Sequence, residues 1–202
     1  MKKFFIKICK LLGYEILDQN NFSSPTLGKE LNEELSILNE KSIILPLGEV
    51  KITKKVNSLL IVLRMNTDIE IWDQNRKRLF EYPKIEYTKR SLNSLIKSIN
   101  FLKNKHPSIN VKTIIVDDNS STENLNVIKK VIDGNIMEII NLDYSKYKEK
   151  ISEQKNKETF ANLASLLQSF EVGKNTGEDL IYFIEDDYLH FEPMLEEMVA
   201  SY

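Results

Sequence analysis

Leu180-Ile181-Tyr182-Phe183-Ile184-Glu185-Asp186-Asp187 is an apolar run that passes directly into three consecutive acids. An unbroken apolar stretch of this length fits a strand buried in a parallel sheet. Three carboxylates at the exit of such a strand repel one another and have lost part of their hydration. They need a cation beside them, or protons that raise their pKa values. A second run, Thr113-Ile114-Ile115-Val116, ends the same way in Asp117-Asp118-Asn119-Ser120-Ser121. Two strands delivering carboxylates to one sheet edge point to a divalent metal and a phosphorylated ligand.

Outward from these runs, strands and helices alternate. Leu59 to Leu63 is another continuous apolar run, followed by a polar loop from Arg64 to about Tyr87. Leu92, Leu95, Ile96, Ile99 and Leu102 recur at helical spacing and predict a helix over about 88–104, with Pro107 beyond its end. Ser120 and Glu123 match a capping box. The helix they open carries Leu125, Ile128, Val131 and Ile132, and Gly134 stops it. Ile136 to Leu142 reads as a strand. Phe160, Leu163, Ala164, Leu167 and Phe170 mark a further helix, closed by Gly173 and a turn through Asn175 to Gly177. Pro193 opens a last helix with Met194, Leu195, Met198 and Val199. The alternation predicts an α/β fold, a three-layer sandwich with a mostly parallel central sheet. Ligands in such sheets bind beyond the carboxyl ends of the strands.

Residues 1–57 lack this rhythm and read as an N-terminal extension to a main domain spanning 58–202. A short hairpin is expected around Leu45-Pro46-Leu47-Gly48, and Asp18-Gln19-Asn20-Asn21 is turn-prone. The first twelve residues place Lys2, Lys3, Lys7 and Lys10 among bulky apolar residues, with no small-residue cleavage site after them. As a helix this segment either packs on the domain or lies on an anionic membrane surface through residues 1–16; the sequence leaves both open. No apolar run approaches the roughly 20 residues of a membrane span. With 42% hydrophobic residues and a net charge of −2, the chain has the composition of a globular protein and no indication of a nucleic-acid partner. Its single cysteine, Cys9, excludes an internal disulfide and a cysteine-based zinc site, which fits a cytoplasmic setting.

The ordered set Leu59–Leu63, the helix near 88–104, Val116-Asp117-Asp118-Asn119-Ser120 and Gly177-Glu178-Asp179 leading to Glu185-Asp186-Asp187 resembles the donor half of glycosyltransferases with the A-type fold. The similarity is greatest to the large inverting family 2 and covers roughly residues 58–202. The resemblance implies transfer of a hexosyl or N-acetylhexosaminyl group, with inversion, from a nucleotide-diphosphate sugar, a UDP-sugar above all. The acceptor would be a glycan, a lipid-linked sugar or a protein. The setting it implies is cell-surface glycan synthesis at the inner face of the membrane. Asp118 would accept a hydrogen bond from the base, with Asp117 supporting the loop. Arg64 stands where the family contacts base or ribose, although the family usually has a small hydroxyl residue there. Asp187 would bind Mn²⁺ or Mg²⁺ directly. Asp186 would reach the metal's hydration shell or the ribose, and Glu185 would support both. Glu-Asp-Asp is also the form of this motif in some related transferases that add N-acetylglucosamine.

Lys150, with Lys146 and Lys148, lies in the loop where related enzymes place a basic residue near the nucleotide; a solvated charged face is the other reading. His190 is expected as a surface residue beside a turn within reach of phosphates, and His106 as a loop residue. Asp, Asn and Ser at strand ends are also favoured turn and cap residues, so a purely structural role stays open for either cluster. In the resembled family a carboxylate after the acidic motif serves as catalytic base. Here Glu192, Glu196 and Glu197 are the acids beyond Asp187, all in or beside a helix, and no base is assigned. The chain is therefore expected to be a metal-dependent glycosyltransferase or the donor-binding part of a longer one. The alternatives are a nucleotide- or partner-binding module without catalysis and a receiver-like magnesium phosphotransfer domain.

Overall fold

The most apolar run of the chain becomes the middle of a sheet. The computed structural model describes residues 2–12, 37–44, 48–52, 54–69, 82–151 and 157–202. Its elements are α1 (Lys2–Leu11), β1 (Ser42–Ile44), β2 (Gly48–Val50), β3 (Ser58–Met65), α2 (Lys84–Lys105) and β4 (Asn110–Asp117). There follow α3 (Thr122–Ile132), β5 (Met137–Asn141), a 3₁₀ turn at Tyr144–Tyr147, α4 (Lys157–Thr176), β6 (Leu180–Glu185) and α5 (Met194–Ala200). The chain divides into two compact units, the smaller covering residues 1–52 and the larger Thr53–Ala200.

The smaller unit contains α1 and an antiparallel hairpin in which Ile44 faces Gly48, as the sequence led us to expect. The polar stretch 13–36 lies outside the described residues.

The larger unit begins before Ser58 because the preceding residues are built into it. Val56 is buried, the Asn57 amide donates to the Asp179 carboxylate at 3.0 Å, and Lys54 donates to the Asp179 carbonyl at 2.8 Å. Its four strands are all parallel, in the order β5-β4-β3-β6. Leu59 to Leu63 are fully buried, since β3 is paired on both edges. Alternation sends Leu60 and Val62, with Ile114 and Val116 of β4, to one face, where Val172 of α4 packs on them. The opposite face takes Leu59, Ile61 and Leu63. Its cover is the layer of α2, α3 and α5, with the buried stripe Leu92, Leu95, Ile99 and Leu102 of α2 turned inward. The α/β three-layer sandwich expected from the alternation is the fold observed.

The order of strands explains which helix goes where. From β3 the chain steps outward through α2 to β4 and through α3 to β5, then returns past β3 to β6. Parallel crossovers are right-handed, so reversing direction along the sheet moves the connecting helix to the other face. That helix is α4.

Several local expectations are corrected. The β6 run is an edge strand among the described residues, so Phe183 is 39% exposed rather than buried. The predicted helix at 88–104 starts earlier, at Lys84, and residues 70–81 of the preceding loop lie outside the described residues. Ser121, not Ser120, caps α3, its hydroxyl accepting from the Asn124 amide at 3.4 Å. Helix α4 does not stop at Gly173. It runs to Thr176, and Gly177, at φ +65°, makes the turn. Gly173 instead admits a neighbour: a Cβ there would stand 2.8 Å from the Phe183 ring of β6.

Leu60→Ala removes a wholly buried side chain from the central strand and is expected to cost about 2–5 kcal/mol in chemical denaturation. Ile136→Ala, at a residue 73% exposed, is expected to change stability by no more than about 0.5 kcal/mol.

Candidate functional site

The reversal of strand order between β3 and β6 opens a crevice at their carboxyl ends, because the flanking helices there lie on opposite faces. Three loops meet at this edge. Arg64 of β3 is in register with Val116 on one side and Glu185 on the other, so the ends of β4 and β6 flank the end of β3. The two acidic clusters are thus brought to one edge.

The β4 end is a network built on Asp117 and Asp118. Asp117 is fully buried and its Oδ2 accepts from the Ser120 amide at 3.0 Å. Burial raises the Asp117 carboxyl above its usual range, against the lowering effect of the Ser120 hydrogen bonds. Its Oδ1 and the Thr67 hydroxyl are buried without a hydrogen-bond partner among the described residues. Ser120 also accepts from the Thr67 amide at 3.0 Å, which ties the β3 loop to the β4 loop. This is why Ser120 is not the helix cap. Asn119 takes a left-handed φ of 54°, which asparagine tolerates, and so turns the chain into α3.

Asp118 is half-buried and carries two partners. The Tyr144 hydroxyl donates to one oxygen, and Asn66 Nδ2 donates to the other at 3.3 Å. Burial first, and the Asp118 hydrogen bond second, push the Tyr144 phenol up to about 12. Asp68 clamps the same corner: it accepts from the Ser121 amide and hydroxyl and from Asn124 Nδ2, the last at 2.6 Å.

The β6 end has a different character. Arg64 pairs with Glu185 and also donates to Asn162 of α4 at 2.9 Å, so it serves the acidic motif and α4. Asp186 is 5% exposed. Its Oδ1 pairs with Lys84 Nζ at 2.8 Å, and its Oδ2 accepts from the Thr88 hydroxyl at 2.7 Å and the Asn66 amide at 3.4 Å. Burial raises the Asp186 carboxyl, while Lys84 and Thr88 pull it down. The ammonium at 2.8 Å favours the ionised pair. Asp187 is exposed and meets Lys84 only at 3.6 Å.

These carboxylates do not fit a divalent cation held by all three of them. Among the described residues no three acidic, histidine or cysteine side chains converge as a metal set. Glu185 is engaged by arginine, and both oxygens of Asp186 are already satisfied. Of the three acids Asp187 is the most exposed and has the longest ion-pair contact.

Lys150 has its partner on α4. It pairs with Glu171 at 3.1 Å, Lys146 pairs with the same carboxylate, and the Tyr147 hydroxyl donates to it at 2.9 Å; Lys146 first, then Lys150 and Tyr147, hold the Glu171 carboxyl down at about 2. His190 is buried, not at the surface, between Ser94 of α2 and Tyr182 of β6, at 3.5 Å and 3.4 Å. Burial pushes its imidazole down, toward the neutral form. His106 is the C-cap of α2 and pairs with buried Glu196 at 3.1 Å. A cavity of about 410 Å³ with aromatic walls (Phe170, Tyr182, Phe183, Tyr188) opens beside Arg64 and Glu185.

Sequence reasoning did not single out Asn66, Asp68, Lys84, Thr88 or Tyr144. A general signal existed for each, since loops after parallel strands and the first turns of the following helices line the crevice. The pairing of Lys84 and Thr88 with Asp186, some hundred positions away, left no local trace. Neither a protein-family model nor a curated protein sequence matches this chain.

Asp118→Asn is expected to lower the Tyr144 pKa from about 12 toward 10 without fully restoring it, because burial remains. Absorbance titration of each protein against its Tyr144→Phe counterpart measures this. Since the folded pKa exceeds the unfolded one, Tyr144 stabilises the fold below about pH 10, and that contribution is lost as pH rises to about 12.

Proposed function

We propose that the larger unit is the nucleotide-diphosphate-sugar-binding portion of a glycosyltransferase, the nucleotide lying across the carboxyl ends of β4, β3 and β6. The observation that carries this reading is the meeting of Asp117-Asp118 and Glu185-Asp186-Asp187 on either side of β3, at the point where strand order reverses. Such crevices bind nucleotides in open parallel sheets.

Asp118 accepts the imide N–H of a uracil. It keeps the capacity to do so because an ionised carboxylate offers about four lone-pair sites and two are in use. Asp117, Ser120 and Asn119 shape the loop that presents it. Asp68 and Asn124 hold α3 against that loop. The β6 end serves the diphosphate and ribose, with Asp187 outward and Asp186 anchored behind it. In the transfer itself an acceptor oxygen bonds to the anomeric carbon while the bond from that carbon to the phosphate oxygen breaks. The bonding pair leaves with the nucleoside diphosphate, and the acceptor proton goes to a base.

A second reading, donor binding without catalysis by these residues, is favoured by the state of Glu196. Glu196 is buried and paired with Lys105 at 3.3 Å and His106 at 3.1 Å, so it is unsuited to take a proton from an acceptor. Transfer of sugar to any acceptor by this chain alone would overturn that second reading.

Membrane contact is part of the first proposal. In α1 and the residue after it, Phe4, Phe5, Leu11 and Leu12 are all more than 60% exposed, and four lysines share the segment. Among the described residues no helix is long and apolar enough to cross a membrane, so contact would be at the surface.

Calorimetric titration with UDP tests the donor reading. Asp118→Asn is expected to weaken uridine and UDP binding about tenfold or more, as loss of a charged hydrogen bond implies. Absence of binding by every nucleoside diphosphate tried would sink the proposal. For α1, the full chain is expected to sediment with phosphatidylserine vesicles at low salt and to release at high salt. Phe4→Ser/Phe5→Ser should abolish sedimentation, and binding unchanged by that pair of substitutions would refute membrane contact.

A further inference from the structure

Among the described residues Lys84 is the one whose side chain pairs with two members of the acidic motif, and nothing in the sequence pattern marked it. It opens the 22-residue helix α2, whose N-cap, Pro83, gives the first turn no side-chain cap. Its side chain is 10% exposed and its ammonium stands between buried Asp186 and exposed Asp187.

We propose that Lys84 is the counter-cation for the ligand's diphosphate, filling at Asp186 and Asp187 the place a divalent ion would otherwise take. This rests on the nucleotide-sugar reading of the site. The ammonium is fixed on one side by a short contact of 2.8 Å to an acid that is itself held by Thr88 and Asn66. On the other side its contact with Asp187, at 3.6 Å, is well beyond the 2.7–2.9 Å of a good charged hydrogen bond. An ammonium has three donors, and Asp186 uses one. Among the described residues the remainder have no other partner than the long contact to Asp187, which leaves them to phosphate oxygens entering the crevice, and the uncapped start of α2 favours the same anion.

A divalent ion bound to Asp186 would have to displace this ammonium or sit against it as a like charge. Displacement would leave a lysine of 10% exposure with only its 3.6 Å contact to Asp187, at a large desolvation cost. With Lys84 in place, the negative charge of both acids is partly balanced before a ligand arrives. The diphosphate then meets a cation supplied by the chain.

Calorimetric titration of the full chain with uridine, UMP and UDP, in EDTA and in Mn²⁺, reads this directly. In EDTA the wild-type chain is expected to bind UDP about tenfold or more tightly than uridine, and Mn²⁺ to change that affinity by less than about threefold. Collapse of UDP affinity to that of uridine in EDTA overturns the proposal, and this measurement needs no variant. Lys84→Met leaves Asp186 buried without its partner, so Lys84→Met/Asp186→Asn is the variant of choice. Asparagine there still accepts from Thr88. The double variant should keep uridine affinity and lose the preference for UDP; a preference equal to wild type overturns the proposal. A wild-type chain that binds neither uridine nor UDP would overturn the nucleotide reading itself, whereas binding with no dependence on Lys84 would overturn only this inference.

Discussion

Burial of β3 on both faces and both edges is the constraint from which the rest of the larger unit follows. Leu59 to Leu63 are all removed from water, each contributing about 1.5–3 kcal/mol. Such a strand needs neighbours on either side and helices above and below. The chain can supply them only by building outward to β4 and β5 and then returning to β6. Right-handed crossovers then put α4 on the face opposite α2 and α3. The same return creates the crevice, since the helices flanking β3 and β6 diverge at their carboxyl ends. Core formation and site formation are one event in this topology.

At that crevice, charge is balanced internally. Arg64 answers Glu185, and Lys84 answers Asp186 and reaches toward Asp187. The most buried acid of the motif, Asp186, is met by Lys84, Thr88 and the Asn66 amide, as the cost of burying a charge requires. The most exposed, Asp187, has the longest ion-pair contact. At the other strand end the balance is made with hydrogen bonds: Ser120 for Asp117, and Tyr144 with Asn66 for Asp118. One side of the site is therefore organised by neutral donors and the other by cations. That division suits a ligand with a hydrogen-bonding base at one end and phosphates at the other.

Much of the fold could be read from residue order because its elements are locally encoded. The apolar runs at 59–63, 113–116 and 180–184 are strands, and the helical spacings after them are helices. Local chemistry misled where a tertiary contact competed for the same group. Ser120 had the spacing of a cap, but its hydroxyl was claimed by Thr67 across the sheet edge. Gly173 had the look of a helix stop, but its missing side chain serves the approach of Phe183. His190 had the surroundings of a surface turn, yet α2 and β6 close over it.

By itself the sequence determined the α/β class, the parallel sheet and the two acidic strand ends, because period, capping residues and apolar runs are properties of neighbours along the chain. Tertiary structure alone decided that β3 is central and β6 an edge among the described residues, that the two acid clusters flank one strand, and that Lys84 and Thr88 serve Asp186. Those facts depend on which distant segments share a sheet edge. Burial sets that choice over the whole unit at once, and no window of sequence contains it.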